Sequence, residues 1–483
     1  MTFSDQDIKQ IKSHGLSLDV VNRQIEKFET GFPFVSIVKP ASAADGVKQI
    51  TSDFFQKYTD IYEKYQQSHN IVKFVPASGA ATRMFKELFD FMRSNRPNKT
   101  SLETTMNITK FAFWDDLKPY LPRNATDMNI VDCLVTESGL NYGNMPKALI
   151  KFHRYPDHTR TPIEEHIDEA FQYAKSGDNV NVHFTISPEH RQDFETILKK
   201  IVPQYESKYG VKYNVSMSEQ KSSTDTIAMG VDNEVFRNED GTLLFRPGGH
   251  GALIENLNDM DADIIFIKNI DNIAIESWRA DTVKYKRVLA GLMIDIQNQI
   301  FNLIKSIDSG NADIKTIHDF IVNNLGIKIE GQLSTAEYRD ILNRPLRVCG
   351  VVKNTGAPGG GPFWVRAQNG VVSLQIVETN QIAPESAYII SQSEYFNPVD
   401  LVCGIKDYTG KKFDLTKYVD EDTGFISEKY KNGLILRAME LPGLWNGAMA
   451  KWNTVLVDVP ISTFTPVKIV TDLLLPPHQG KII

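Results

Sequence analysis

The sequence predicts an α/β protein in which a mixed sheet is flanked by helices, with a helical segment in front and helical insertions within. Three observations lead there. Short apolar runs alternate with amphipathic stretches along the middle of the chain, the pattern of a sheet with helices on its faces. At 483 residues the chain is long for one simple core, so its length favours several structural units or one large α/β domain with insertions. A composition of 41% hydrophobic, 23% charged and 10% aromatic residues excludes the disordered and fibrous classes.

Taken in order, Ser4 to about Tyr65 is helical. "SDQDIKQIKSHG" opens on a Ser4 cap, and "SLDVVNRQIEKFETG" stops at Gly31. "ADGVKQITSDFFQKYTDIYEKYQQ" repeats apolar residues at helical spacing. Residues 1–70 are therefore expected as a helical segment and 71–483 as the domain that carries the chemistry. "IVKFVPA", "VNVHFTIS", "YNVSMSEQ" and "ADIIFIKNIDN" read as strands, and "TPIEEHIDEAFQYA" and "PEHRQDFETILKKIV" as the helices between them. Ligands of such a sheet collect at the carboxyl ends of its strands. Residues 89–144, polar and irregular, and 276–345, dominated by a long helical stretch, break the alternation and read as insertions. From about Leu346 short strands separated by glycine and proline return.

A formal net charge of -7 disfavours a general grip on nucleic acid, while a local basic cleft for a small phosphorylated molecule is compatible with it. Cys133, Cys349 and Cys403 are odd in number and widely spaced, which fits neither a disulfide framework nor a zinc site, so they are expected reduced and buried. The N-terminus lacks the basic start and apolar run of a secretory signal, and no segment is apolar enough to span a bilayer. A cytoplasmic protein without a membrane partner is the expectation.

Four elements could carry chemistry. "KFVPASGAATRMFKE" runs from a strand into small residues and places Thr82 and Arg83 at the start of a helix. Backbone N–H groups of Ser78, Gly79 and Ala80, with the positive helix end behind them, can face an anion that Arg83 neutralises. An ordinary turn with a surface arginine fits the same residues. "MPKALIKFH" holds Lys147 between a proline and an apolar strand, which suits a fixed positive charge or simply a solvated loop. In "LLFRPGGHGALIENLNDMDADIIFIKNIDN", Gly248, Gly249 and Gly251 let backbone approach a flat base or a sugar, and His250 adds a polar contact. Asp271 closes a buried strand there, where a carboxylate needs a cation or hydrogen-bond donors, or else serves as a turn cap. Lys468 in "FTPVKIVTDLL", read as a strand, either snorkels to solvent or meets an anion.

In this order the four elements resemble the nucleotide-sugar nucleotidyltransferases, and most closely the UDP-sugar pyrophosphorylases of the UDP-glucose and UDP-N-acetylhexosamine branches. "ASGAATRM" is similar to their Gly-rich phosphate loop, "MPKALI" to their Pro-Lys element, and "RPGGHGALIENL" with "DIIFIKNIDN" to their P-G-H-G loop and N-x-D-N strand end. "FTPVKIVTDLLL" resembles the late segment that supplies a phosphate-binding lysine. "SMSEQKSSTDTIA" stands where the family has a Gln-containing strand end, "GVVSLQIVETNQI" is similar to the strand that presents a sugar-binding glutamate, and "EYFNPVDLV" follows where a sugar-contacting asparagine lies. The likeness spans about Ile71 to the C-terminus, outside the two insertions.

The resemblance implies a Rossmann-like sheet of the GT-A type and a sugar 1-phosphate attacking a nucleoside triphosphate, UTP favoured. It implies catalytic Arg83, Lys147 and Lys468, and Mg²⁺ on Asp271. It further implies nucleotide contacts from Ser78, Gly79, Ala80, Gln220, Gly248, Gly249 and His250, and sugar contacts from Glu378 and Asn397. Three features depart from the pattern. Ala81 replaces a glycine before Thr82, which matters if that position needs a positive φ. The stretch between Arg83 and Lys147 is far longer than usual. "NTGAPGGGPFWV" is richer in glycine, as either a loop closing over substrate or a linker. Two rivals stand beside this reading: a nucleotide-sugar binding protein of the same fold without the chemistry, and a glycosyltransferase, for which "IDN" lacks the second aspartate of an Asp-x-Asp motif.

Overall fold

The N-terminal helices form where their caps predict. Ser4 accepts a hydrogen bond from the Asp7 amide and Asp7 reaches back to the Ser4 amide, closing a capping box on helix Asp5–Ser13. Ser17 caps helix Leu18–Thr30, which stops where Gly31 takes a φ of 76°. Helix Ser52–Tyr65 follows two short strands, Ile37–Pro40 and Val47–Lys48, too brief for their periodicity to show in the sequence.

The computed structural model describes residues 3–356 and 359–480. Residues 357 and 358 of the expected Gly-rich loop lie outside the described residues. The chain divides into two compact units interleaved along the sequence. The first combines Met1–Tyr58, Gln220–Ile264 and Leu289–Asp458; the second combines Thr59–Glu219, Ile265–Val288 and Val459–Ile483. The helical start belongs to the first unit because Ile11, Val21, Ile25 and Phe28 pack with Ile227, Met229, Leu243 and Met439. Each fully buried side chain of this size contributes about 1.5–3 kcal/mol.

In the first unit Asn453–Asp458 runs parallel to both Val47–Lys48 and Leu346–Lys353, and Tyr395–Gly404 closes antiparallel on Leu346–Lys353. Cys349 and Cys403 lie buried on these strands as free thiols. A separate antiparallel sheet joins Ile37–Pro40, Gly361–Arg366, Val372–Val377 and Ile327–Lys328.

In the second unit Ile71–Pro76, Asn179–Ile186 and Lys212–Glu219 form a parallel sheet with Lys175–Ser176 antiparallel at one side. Strand Ile264–Lys268 neighbours Ile71–Pro76. Helices Pro162–Tyr173 and Arg191–Tyr209 connect these strands, as the alternation requires. The architecture is the mixed α/β class expected.

Residues 89–144 are not irregular. Short helices Lys86–Ser94, Lys99–Met106 and Asp127–Val135 enclose a core of Phe85, Phe91, Phe111, Phe113, Leu134 and Tyr142, continuous with Ala81, Val467 and Val470. Helices of eight or nine residues span little more than two turns, so their apolar stripe is hard to tell from scatter. Among the described residues no helix is long and apolar enough to cross a membrane.

Candidate functional site

Three of the four chemical elements meet in the second unit. Strand Ile71–Pro76 is buried up to Val75, and Pro76 accepts a hydrogen bond from the Ile270 amide at 3.2 Å. The chain then exposes Ser78, Gly79 and Ala80. Ala80 bridges Pro146, Ala81 N–H donates to Met145 O at 3.0 Å, and Lys147 N–H donates to Gly79 O at 3.3 Å. The small-residue turn is thereby zipped to the Pro-Lys element.

Ala81 opens a 3-10 turn, Ala81–Arg83, and its methyl is fully buried; it is not among the residues with positive φ. The missing glycine therefore costs this backbone nothing. The regular helix begins only at Lys86, which corrects the expectation that Thr82 and Arg83 start it. Arg83 is exposed, and its guanidinium makes no ion pair or hydrogen bond among the described residues.

Asp271 is the centre of the cluster. Its Oδ2 accepts from Lys147 Nζ at 2.8 Å and from Lys468 Nζ at 3.1 Å, while Lys147 Nζ also donates to Val467 O at 2.7 Å. Backbone pins this geometry: Val467 N–H donates to Asp271 O, and Thr465 N–H donates to the Asn272 side chain. Burial pushes the Asp271 carboxyl up, but the two ammonium groups outweigh it and hold the group below its ordinary value. Lys147 sits in a 3-10 turn rather than before a strand, and Lys468 in irregular chain rather than on a strand, its amide donating to Asp472.

Asp271 is the triad's single carboxylate, and among the described residues no group of three or more His, Cys, Asp or Glu could hold a metal ion. This donor set fits a Mg²⁺ that takes its other ligands from phosphates and water, not a closed protein cage.

A second lysine triad lies deeper in the same unit, and the sequence reading missed it. Glu169 accepts from Lys73 at 2.7 Å, from Lys268 at 2.6 Å and from Tyr173 at 3.1 Å, all of them buried. Burial pulls the Lys73 ammonium down to about 7 against the attraction of Glu169. Next to it, Arg279 clamps Glu165 and Asp168, and His166 Nε2 donates to Ile270 O, the carbonyl just before Asp271. The available signal was local: Glu165, His166, Asp168 and Glu169 share one helix, and Lys73 and Lys268 interrupt apolar strands.

The remaining candidates lie in the first unit. The backbone approach of the Gly-rich loop is to protein: a Cβ on Gly251 would stand 2.2 Å from Pro442 O, and one on Gly248 2.5 Å from Thr224 O. Packing thus explains these glycines. Gly249 also needs its φ of 76°. His250 Nδ1 accepts from the Leu444 amide at 3.1 Å, which leaves Nε2 to carry the proton toward Glu378 Oε1 at 3.7 Å. The nearby His250 imidazole holds the Glu378 carboxyl below its ordinary value, against the effect of burial. Gln220 Nε2 is buried without a partner among the described residues. Asn397 spends its side-chain oxygen on the Val399 amide at a bulge where Val399 takes a φ of 61°, a strained conformation for a β-branched residue.

A family model described as "Domain of unknown function (DUF4301)" matches residues 4–479. No curated protein matches the chain. Among solved structures, the uridine diphosphate N-acetylglucosamine pyrophosphorylase from Trypanosoma brucei, in complex with an inhibitor, is similar at a TM-score of 0.51 and 12% identity. That match covers 94% of this chain and 74% of the other. A mutant UDP-glucose pyrophosphorylase from Leishmania major, in complex with UDP-glucose, aligns at 0.45 and 13% identity, covering 98% and 79%. The first likeness is one of fold, and it matches the mixed sheet flanked by helices described above.

Proposed function

We propose that this chain, which belongs to the DUF4301 family, is a nucleotidyltransferase that joins a sugar 1-phosphate to a nucleoside triphosphate, UTP by preference, and releases pyrophosphate and a nucleotide sugar. The observation that carries this reading is the Lys147–Asp271–Lys468 triad, set beside the exposed turn of Ser78, Gly79 and Ala80. Two ammonium groups on one carboxylate leave a net positive site, and Lys468 reaches solvent with 59% of its side chain exposed. The fold shared with a UDP-sugar pyrophosphorylase supports the same reaction class.

In that reaction an oxygen of the sugar phosphate bonds to the α-phosphorus as the bond to the bridging oxygen of the leaving pyrophosphate breaks. Such a displacement needs positioning and charge neutralisation more than covalent help. Lys147 and Lys468 would release part of their hold on Asp271 to phosphate oxygens near the α-phosphorus, and exposed Arg83 would take the β- and γ-phosphates. Asp271 would hold Mg²⁺ together with substrate phosphates, and the bound ion supplies further charge neutralisation. Gln220, Gly249 and His250 are assigned to the nucleoside, and Glu378 to sugar hydroxyls. The reaction is assigned to the cytoplasm.

Purified protein with Mg²⁺, a panel of nucleoside triphosphates and a panel of sugar 1-phosphates should release pyrophosphate. If no pair reacts and Asp271→Ala leaves nucleotide binding unchanged, the assignment fails. Calorimetric binding of a nucleotide sugar without pyrophosphate exchange would make the protein a binder instead.

A further inference from the structure

Asp271 sits in residues 270–275, which leave strand Ile264–Lys268 as turn and irregular chain apart from one bridge, Asn272 to Pro466. Contacts on either side of Asp271 set where this segment lies. Before it, the Ile270 N–H donates to Pro76 O at 3.2 Å and the Ile270 carbonyl accepts from His166 Nε2 at 3.2 Å. After it, the Ala274 carbonyl accepts from Arg279 Nε at 3.0 Å, and the Ile275 N–H donates to Pro477 O at 3.0 Å. Arg279 is itself clamped by Glu165 and Asp168, two residues of the helix that carries His166. Helix Pro162–Tyr173 therefore holds the chain on both sides of Asp271.

His166 is fully buried, and its own backbone carbonyl accepts from Lys73 Nζ at 3.0 Å. The residue is tied to strand Ile71–Pro76 through its backbone and to residue 270 through its ring. A carbonyl can only accept, so Nε2 carries the proton and Nδ1 is left as an acceptor. Nδ1 has no hydrogen-bond partner among the described residues and stands 4.0 Å from Glu169 Oε2, another acceptor. A buried acceptor without a donor costs at least as much as one hydrogen bond returns. The polar atoms of this ring thus bring no net stability; what they supply is a donor at the one carbonyl that precedes Asp271.

We infer that His166 is a positioning residue: its Nε2–H fixes the Ile270 carbonyl, and with it the place of Asp271 between Lys147 and Lys468. Ile270 donates in turn to Pro76, two residues before Ser78, so the same bond sets the spacing between the phosphate turn and the carboxylate. His166 touches no substrate. Both ammonium groups meet Asp271 Oδ2 within 3.1 Å, a geometry that a small shift of residue 270 breaks. A misplacement of about 1 Å in such a constellation costs about 10²-fold in rate. The inference rests on the proposed reaction for its effect on turnover, and on geometry alone for its effect on the mobility of residues 270–275.

Three substitutions separate the bond from the bulk of the ring. In His166→Gln the amide nitrogen lies as many bonds from Cβ as Nε2 does, in His166→Asn it falls one bond short, and His166→Leu has no donor. Hydrogen–deuterium exchange in the full chain, read on a peptide covering residues 264–276, should quicken about tenfold in the Asn and Leu variants. A peptide covering strand Asn179–Ile186 should stay within about twofold of wild type, and His166→Gln should stay near wild type on both. With Mg²⁺ and a reacting substrate pair, the Asn and Leu variants should lose about 10²-fold in kcat with KM nearly unchanged, and His166→Gln should recover most of the loss. A merely structural loss would quicken both peptides together and would not be rescued by glutamine. If the leucine variant fails to fold, the Gln and Asn pair decides alone. If His166→Asn exchanges like wild type over 264–276, or if His166→Gln does no better than His166→Asn, the inference falls. The expected exchange pattern in a protein that releases no pyrophosphate would retain His166 as the anchor of Asp271 and discard the reaction.

Discussion

The second unit contains two Lys–carboxylate–Lys triads that differ in what lies over them. Around Glu169 the side-chain exposures are 0% for Lys73, 0% for Glu169 and 3% for Lys268; around Asp271 they are 11% for Lys147, 10% for Asp271 and 59% for Lys468. The chemistry is the same and the consequence is opposite. A sealed carboxylate between two lysines cannot trade either for a ligand, so it ties strand Ile71–Pro76 to strand Ile264–Lys268 and to helix Pro162–Tyr173. An open one can exchange an ammonium for a ligand anion at modest cost, because water and phosphate compensate the charge that is released. The closed triad therefore holds in place the two strands after which the phosphate turn and Asp271 follow.

The largest expected effect comes from breaking the closed triad. Glu169→Ala leaves two lysines buried without their carboxylate and should cost about 3–5 kcal/mol in denaturant unfolding. A loss under about 1 kcal/mol would end the distinction drawn between the triads. Lys147→Ala should keep the far-UV circular dichroism of the wild type and lower pyrophosphate release by about 10³-fold. Lys468→Ala should change stability by no more than about 1 kcal/mol, because the lysine is exposed and Asp271 keeps its bond to Lys147, with turnover down by about 10²-fold. Unchanged turnover would remove Lys468 from the reaction.

Acid should find the closed region before the open one. Burial holds the His166 and His478 imidazoles well below their ordinary value, with Lys73 and Lys268 adding to this at His166 and His153 at His478, against Glu169 and Glu165. The unfolded chain takes up protons at these histidines below about pH 6.5 while the folded one does not, so stability falls as pH drops below that value. Glu165, Asp168, Glu169 and Asp271 are all held below their ordinary values, so their contribution is intact above about pH 4 and is lost further down. Melting temperatures across pH 8 to 3 should show the histidine step first; a flat curve to pH 4 would contradict it. The smallest effect is expected from Ala81→Gly, which removes a buried methyl from a turn that needs no positive φ. It should cost about 1 kcal/mol and leave turnover unimproved.

The strands, the connecting helices and the four chemical segments were legible because each signal is local. Ser4 and Ser17 cap the helices they precede, and the strands that lead to Ser78 and Asp271 read directly as apolar runs. The core built by residues 85–142 escaped because its helices are too short to display a period. The Gly-rich loop misled in a different way: Gly248 and Gly251 look fit for a ligand, and the carbonyls of Thr224 and Pro442 already stand there. Asn397, expected at a sugar, is engaged by its own bulge.

By itself the sequence determined the α/β class and which residues bear the charges, since propensity, capping and apolar periodicity act over a few residues. Tertiary structure alone decided what those charges do. Asp271 meets Lys147 across 124 positions and Lys468 across 197, and Glu169 meets Lys73 across 96. Whether such a lysine is sealed or open depends on what packs over it, and that covering is assembled from distant segments whose burial no local pattern records.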